Sequence, residues 1–312
     1  MTDHPSNGRG RDPFHARFEV PVAGGVLKVA RSGPPPSESE AVVLAAHGVT
    51  ASHMAWRTVA RELTARTRAC LLAPDLRGRG SSAGLPSPYG FTTHVSDLTA
   101  VLDHSAAERA VLVGHSMGAH VVTRLAVEHP HRTTGVVLLD GGLPMPAPPR
   151  AHQDRPEVTE SHDRRMENPC RSADEYVAGW RAHPAFAQAW DDDVDAYARY
   201  EMADNGHEVR CVVSEEAVRA DTFDLLFDGV TRSAVTRIGR PIRLLCAARG
   251  PMDDDSAVVP REYLEAFRAD HPHLHVEHVP DTNHYTLVLG KSPGPSRVAE
   301  AIERAITDAE RV

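Results

Sequence analysis

Residues 110–118 read Ala110-Val111-Leu112-Val113-Gly114-His115-Ser116-Met117-Gly118. An unbroken apolar run leads straight into a serine with a glycine two positions to either side. Such a run suits a strand buried on both faces. The stretch 119–129 that follows carries helical spacing and stops at Pro130. A sharp turn from strand into helix holds the turning residue in strained geometry and demands small neighbours. The Ser116 hydroxyl would then stand clear at the carboxyl end of the strand, beside the backbone N–H groups of the helix start. Ser116 is therefore the candidate nucleophile, and the Met117 N–H a candidate donor to a developing oxyanion.

Working outward, apolar runs at 41–46, 70–74, 135–139 and 242–246 read as further buried strands, and 274–279 as a last one. Helical patterns lie at 56–65, 95–105, 261–270 and 296–310. Residues 18–22 and 26–30 alternate around Ala23-Gly24-Gly25, which predicts a hairpin. Alternating strands and helices give an α/β fold with a mostly parallel, doubly wound sheet. Between 143 and 237 the pattern changes. No buried strand is legible there, Pro, Asp, Arg and aromatics are frequent, and helices are expected at 173–182 and 194–202. The expected organisation is a disordered tail at 1–15, a core made of 16–142 and 238–312, and a helical cap inserted at 143–237.

Two further segments carry chemistry. His47-Gly48-Val49 closes the first core strand, and the Val49 N–H is expected as the second oxyanion donor. Pro280-Asp281-Thr282-Asn283-His284-Tyr285 follows the last strand. His284 is the expected base among 19 histidines, because it stands in a loop after a strand and late in the chain.

These motifs, in this order, resemble the α/β-hydrolase superfamily from about residue 18 to 306. Asp75-Leu76-Arg77-Gly78-Arg79-Gly80-Ser81-Ser82 is similar to its Asp-x-Arg-Gly-x-Gly-x-Ser segment, and Trp56 to a tryptophan often found after the oxyanion loop. Asp75 and Arg77 are expected to brace that loop. The resemblance implies a triad acid in a pattern near Gly-x-x-Asp after the strand at 242–246, but this position reads Gly250. Two alternatives stay open. One is Asp253, or its neighbours Asp254 and Asp255, swinging in from the following loop. The other is Asp140, directly after the preceding core strand, where some members place their acid; Asp140 is slightly preferred. His47, Ser81, Leu143, Met145, Trp180 and Tyr285 are candidate substrate contacts, although an aromatic in the cap is more often packing than ligand contact.

The chain has 312 residues, a formal net charge of −9 and 41% hydrophobic residues. No basic stripe points to nucleic acid. No apolar run approaches the roughly 20 residues of a membrane span, and no secretory leader is visible, so a cytoplasmic location is expected. Cys70, Cys170, Cys211 and Cys246 form no Cys-x-x-Cys pair, and no metal motif is present. The expected activity is cleavage of a small carboxylic ester or lactone through an acyl-enzyme on Ser116, with no cofactor. C–C bond hydrolysis, thioester hydrolysis and cofactor-free perhydrolysis use the same serine and stay open. Epoxide hydrolases and haloalkane dehalogenases carry Asp at the elbow, so Ser116 argues against both. A non-catalytic ligand receptor on the same fold is the alternative of another class.

Overall fold

The structure is a computed structural model that describes residues 12–144, 166 and 168–310. Met145 lies outside the described residues, as does nearly all of the tail expected at 1–15.

Among the described residues, eight strands form one sheet: β1 (Ala16–Val22), β2 (Gly25–Ser32), β3 (Val42–Ala46), β4 (Cys70–Pro74), β5 (Ala110–His115), β6 (Thr133–Leu139), β9 (Ile242–Arg249) and β10 (Leu274–Asn283). Their order is β1-β2-β4-β3-β5-β6-β9-β10. The hairpin β1/β2 and the β2/β4 pair are antiparallel, and every pair from β4 to β10 is parallel. The remaining strands, β7 (Met202–Asp204) and β8 (Val209–Cys211), form a separate antiparallel ribbon.

The unbroken apolar runs follow from burial on both faces. In β3, Val43 and Ala45 belong to one core cluster, and Leu44 and Ala46 to the other. Val111 and Val113 of β5 likewise oppose Leu112. Helices α1 (Arg57–Arg66) and α9 (Gly294–Ala309) cover the first face; α2 (Phe91–His104), α3 (Met117–Glu128) and α8 (Arg261–Asp270) cover the second. With both faces apolar, a register slip would keep much of the burial. Close backbone contacts supply the specificity instead. A Cβ on Gly118 would lie 2.1 Å from the Ala46 oxygen, and one on Gly114 would lie 2.3 Å from the Gly118 oxygen. Only glycine lets α3 pack this tightly across the ends of β3 and β5.

Two boundaries differ from the sequence expectation. Helix α2 starts at Phe91 rather than at 95, because the Asp224 carboxylate accepts the Phe91 N–H at 2.7 Å and caps it from a distant part of the chain. Strand β10 continues to Asn283 through a register shift after Val279, which delivers the 280–285 loop to the sheet end.

Between β6 and β9 the chain forms α4 (Ala173–Arg181), α5 (Asp192–Tyr200), α6 (Glu215–Phe227) and α7 (Gly229–Ala234), together with the β7/β8 ribbon. Helices α4 and α5 match the expected segments closely. Helix α6 was not legible, because its inward face carries Asp221 among Ala217, Val218 and Phe227, and a buried acid breaks the apolar period. The segment is tied to the rest by buried ion pairs. Asp193 of α5 binds Arg57 at 3.0 Å and Arg61 at 2.8 Å. Asp221 of α6 binds Arg79 at 2.5 Å.

Candidate active site

Ser116 sits between β5 and α3 with φ 55° and ψ −121°. A non-glycine residue holds such a conformation only where its surroundings enforce it. Here the Ser116 N–H donates to the Leu139 oxygen at 2.9 Å, and Gly141 lies so close that a Cβ there would be 2.5 Å from the Ser116 oxygen. Beta-strand 6 therefore fixes the turn from the far side. The side chain stays half-buried, at a hollow of about 70 Å³ that it shares with Gly48, Val49, Tyr197, His284 and Tyr285.

His284 shares that hollow, and its Nδ1–H is held by the Asp140 carboxylate at 2.7 Å. Asp140 is fully buried at the end of β6, with φ 49°. Its other oxygen accepts the Ala247 N–H at 3.3 Å, and its own N–H donates to Leu245 at 2.8 Å. The acid thus grips β9 by two backbone bonds and His284 by a third. Asp253 lies elsewhere: its Oδ1 accepts from Arg249 Nε at 2.8 Å and Asn283 Nδ2 at 2.9 Å. Asp254 is turned back on Ser256, accepting its N–H at 3.1 Å. Gly250, at the position where the resemblance implies an acid, closes a tight turn; a Cβ there would meet the Ser256 oxygen at 2.3 Å. No aspartate fits at that position without rebuilding the loop.

His47 is not a surface of the hollow. It is fully buried, and both ring nitrogens are committed. Its Nε2 accepts the Leu76 N–H at 2.9 Å, so the proton is on Nδ1, which donates to the Gly48 oxygen at 2.8 Å. That carbonyl belongs to the same peptide plane as the Val49 N–H, so His47 sets the plane's rotation. The next plane is set by Arg79, whose Nε donates to the Val49 oxygen at 2.9 Å. Among the described residues, the N–H groups of Val49 and Met117 have no protein acceptor.

Several of the other expected residues lie away from the hollow beside Ser116. Arg77 does not reach the turn after β3; it forms a buried pair with Asp97 at 3.0 Å and binds the oxygens of Ala23 and Pro86. Asp75 holds the later His53 through both its N–H and its ring, each at 2.8 Å. Burial opposes the Asp75 charge, but His53 and Tyr200 together hold its carboxyl at about 2. Ser81 faces Tyr200 at 2.6 Å and lines a different hollow. Leu143 packs into the core. Trp180 is buried behind the hollow, edge-on to Tyr197 and Tyr285 with centroids 5.3 and 5.9 Å apart. Of the expected contacts among the described residues, Tyr285 alone lines the hollow beside Ser116.

One contact of His284 escaped the sequence reading. His115 Nε2 donates to the His284 oxygen at 2.9 Å, and the two rings lie 4.6 Å apart. Its place beside Ser116 was visible, but its partner lies 169 residues away. Burial pushes His47 down to about 3 and His120 to about 4, and holds His115 well below its ordinary value. In the unfolded chain each ring takes a proton near pH 6.5. Below that pH the unfolded state binds more protons, so the stability these three rings contribute is full above about pH 7 and falls as pH drops toward about 4. The unfolding free energy read from urea titrations is expected to decline between pH 7 and pH 5, on the order of 1–2 kcal/mol per histidine, and the midpoint with it. A midpoint that stayed flat would contradict their burial as neutral rings.

Among the described residues, no group of three His, Cys, Asp or Glu could hold a metal ion. Among the described residues, no helix is long and apolar enough to cross a membrane.

An elbow serine at the carboxyl end of a mostly parallel sheet, beside a histidine paired with a buried aspartate, defines an α/β-hydrolase scaffold. The chain belongs to the alpha/beta hydrolase family, matching it over residues 42–301. It is 38% identical over 114 residues to lipase LipV of Mycobacterium tuberculosis, covering 36% of this chain and 41% of the lipase. It is 37% identical over 127 residues to epoxide hydrolase A of the same organism, covering 40% of this chain and 37% of that enzyme. The matches thus span well under half the length of these curated relatives. The fold is similar to a thioesterase domain from the curacin biosynthetic pathway, with a TM-score of 0.72 at 20% identity over 93% of this chain and 99% of that one. It is also similar to E-2-(acetamidomethylene)succinate hydrolase, with a TM-score of 0.70 at 20% identity over 94% of this chain and 99% of that one.

Proposed function

We propose that this chain is a serine hydrolase of small carboxylic esters or lactones, with Ser116, His284 and Asp140 as its triad and residues between β6 and β9 as its cap. The observation that carries the proposal is the 2.7 Å bond from His284 to the buried Asp140, with His284 facing the same hollow as the strained Ser116. With Nδ1 donating to Asp140, the neutral ring presents Nε2 as an acceptor. It takes the Ser116 proton as Oγ attacks the carbonyl, while the Val49 and Met117 N–H groups receive the oxyanion. The protonated ring then returns the proton to the leaving alkoxide. Water, deprotonated by the same ring, releases the acyl group.

The hollow supports a short acyl group. It holds about 70 Å³ and is walled by Ala51, Ala55, Tyr197, Tyr285, Val288 and Leu289. Trp180 and Phe186 pack behind the two tyrosines and oppose their retreat. Acetyl and propionyl p-nitrophenyl esters are expected to exceed the octanoyl ester in kcat/KM by about 10-fold or more, since each methylene denied burial costs about 0.8 kcal/mol. An octanoyl preference would sink the short-acyl assignment. A fluorophosphonate probe that labels Ser116, located by mass spectrometry, tests the serine mechanism itself; labelling elsewhere or not at all refutes it.

A further inference from the structure

Helix α6 reaches the turn after β3 through one buried carboxylate. Asp221 is fully buried and pairs with Arg79 at 2.5 Å. Arg79 is also fully buried; its Nη1 donates to the Arg77 oxygen at 2.9 Å, and its Nε to the Val49 oxygen at 2.9 Å. Among the described residues, Asp221 is the only carboxylate that pairs with Arg79. The same carboxylate accepts the Gly90 N–H at 3.0 Å and contacts His94 Nε2 at 3.0 Å. Burial opposes its charge, but His94 and Arg79 hold its carboxyl below the usual range. Helix α6 is seated tightly here: a Cβ on Gly78 would lie 2.5 Å from the Ala217 side chain, and the Ser214 N–H donates to the Gly78 oxygen at 2.9 Å.

We propose that Asp221 is a positioning residue for the oxyanion donor: acting through Arg79, it couples the seating of the segment between β6 and β9 to the aim of the Val49 N–H. The inference rests on the serine-hydrolase reading above. Two peptide planes meet at the Val49 Cα, and the donor's direction depends on both. His47 clamps the first from within the core. Arg79 clamps the second, and its guanidinium is held in turn by a carboxylate from the inserted segment. Arg79 satisfies two backbone oxygens and Asp221 from one rigid planar group, a geometry that a lysine cannot reproduce. If α6 shifts, Arg79 loses its counter-charge and its direction, and the Val49 plane is released. Donors must be aimed before the charge develops, so a small misdirection weakens the transition state more than the bound substrate.

The test is Asp221→Asn, which removes the charge and keeps the shape. The expected result is a fall in kcat of about 10- to 30-fold on p-nitrophenyl acetate, with KM changed by less than about 3-fold; outright removal of an oxyanion donor costs about 100- to 1000-fold. The inhibition constant of an alkyl trifluoromethyl ketone, which forms an oxyanion on the serine, should rise in parallel with the loss in kcat/KM. Asp193→Asn breaks a comparable buried pair, between α5 and α1, and touches nothing at the turn; it should lower the melting temperature and leave kcat and that inhibition constant unchanged. The double variant Arg79→Gln/Asp221→Asn leaves no buried charge unpaired. It should regain stability and still show the loss in kcat, and it answers the question even if Asp221→Asn alone does not fold.

The proposal is overturned if Asp221→Asn retains full kcat, if Asp193→Asn loses as much kcat, or if the double variant recovers kcat together with stability. Failure of the underlying reading has a separate signature. A wild type whose Ser116 resists the fluorophosphonate refutes both, whereas a wild type that labels normally beside an unaffected Asp221→Asn and double variant refutes this inference alone.

Discussion

Ser116→Ala is expected to lower turnover of p-nitrophenyl acetate by about 10⁵- to 10⁶-fold, because a triad acts as a unit and its nucleophile has no substitute. The change removes one oxygen from a half-buried side chain. It leaves the turn intact, since the bond from the Ser116 N–H to Leu139 and the close approach of Gly141 both involve backbone alone. Alanine at φ 55° is as strained as serine, so stability should move by about 1 kcal/mol or less. Thermal melting and fluorophosphonate labelling, read on the same sample, separate the two effects. Substantial residual turnover in a variant that melts like wild type would show that the reaction does not pass through Ser116.

Asp140→Asn should cost about 10³- to 10⁴-fold in kcat with little change in KM. The buried carboxylate accepts from His284 on one oxygen and from the Ala247 N–H on the other. An asparagine has one acceptor and one donor. If its oxygen stays on Ala247, its NH₂ faces Nδ1 and forces the proton to Nε2, the tautomer that cannot receive the serine proton. If its oxygen turns to His284, its NH₂ opposes the Ala247 N–H. Either arrangement also loses the negative charge that stabilises the imidazolium. Asp253→Asn should stay within about 3-fold of wild type, since Asp253 is partly exposed and engaged with Arg249 and Asn283. Equal losses from the two variants would remove the reason for preferring Asp140.

The sheet, the elbow at Ser116 and the place of His284 after the last strand were legible because each follows from a local pattern. Apolar runs mark strands buried on both faces, and glycines at fixed offsets mark a turn that tolerates no Cβ. A histidine among 19 could still be singled out by its place after the last strand. The identity of the acid was not legible. The loops after β6 and β9 both offer aspartates, and sequence spacing does not say which carboxylate the His284 ring meets. That follows from how β10 shifts register after Val279 and from where Gly250 closes its turn.

The same limit applies to the bracing of the turn after β3. The segment 75–82 was recognisable, yet Arg77 and Arg79 differ by two positions and go to different partners: Arg77 to Asp97 and Arg79 to Asp221. Asp221 lies 142 residues beyond Arg79 on a helix whose period it breaks, so nothing local announces it. The sequence alone determined the scaffold, the candidate nucleophile and the candidate base, because strand burial and turn sterics act over a few residues. Tertiary structure alone decided which carboxylate meets His284, the candidate base, and which charges hold the Val49 turn, because buried ion pairs form only where distant elements remove both partners from water together.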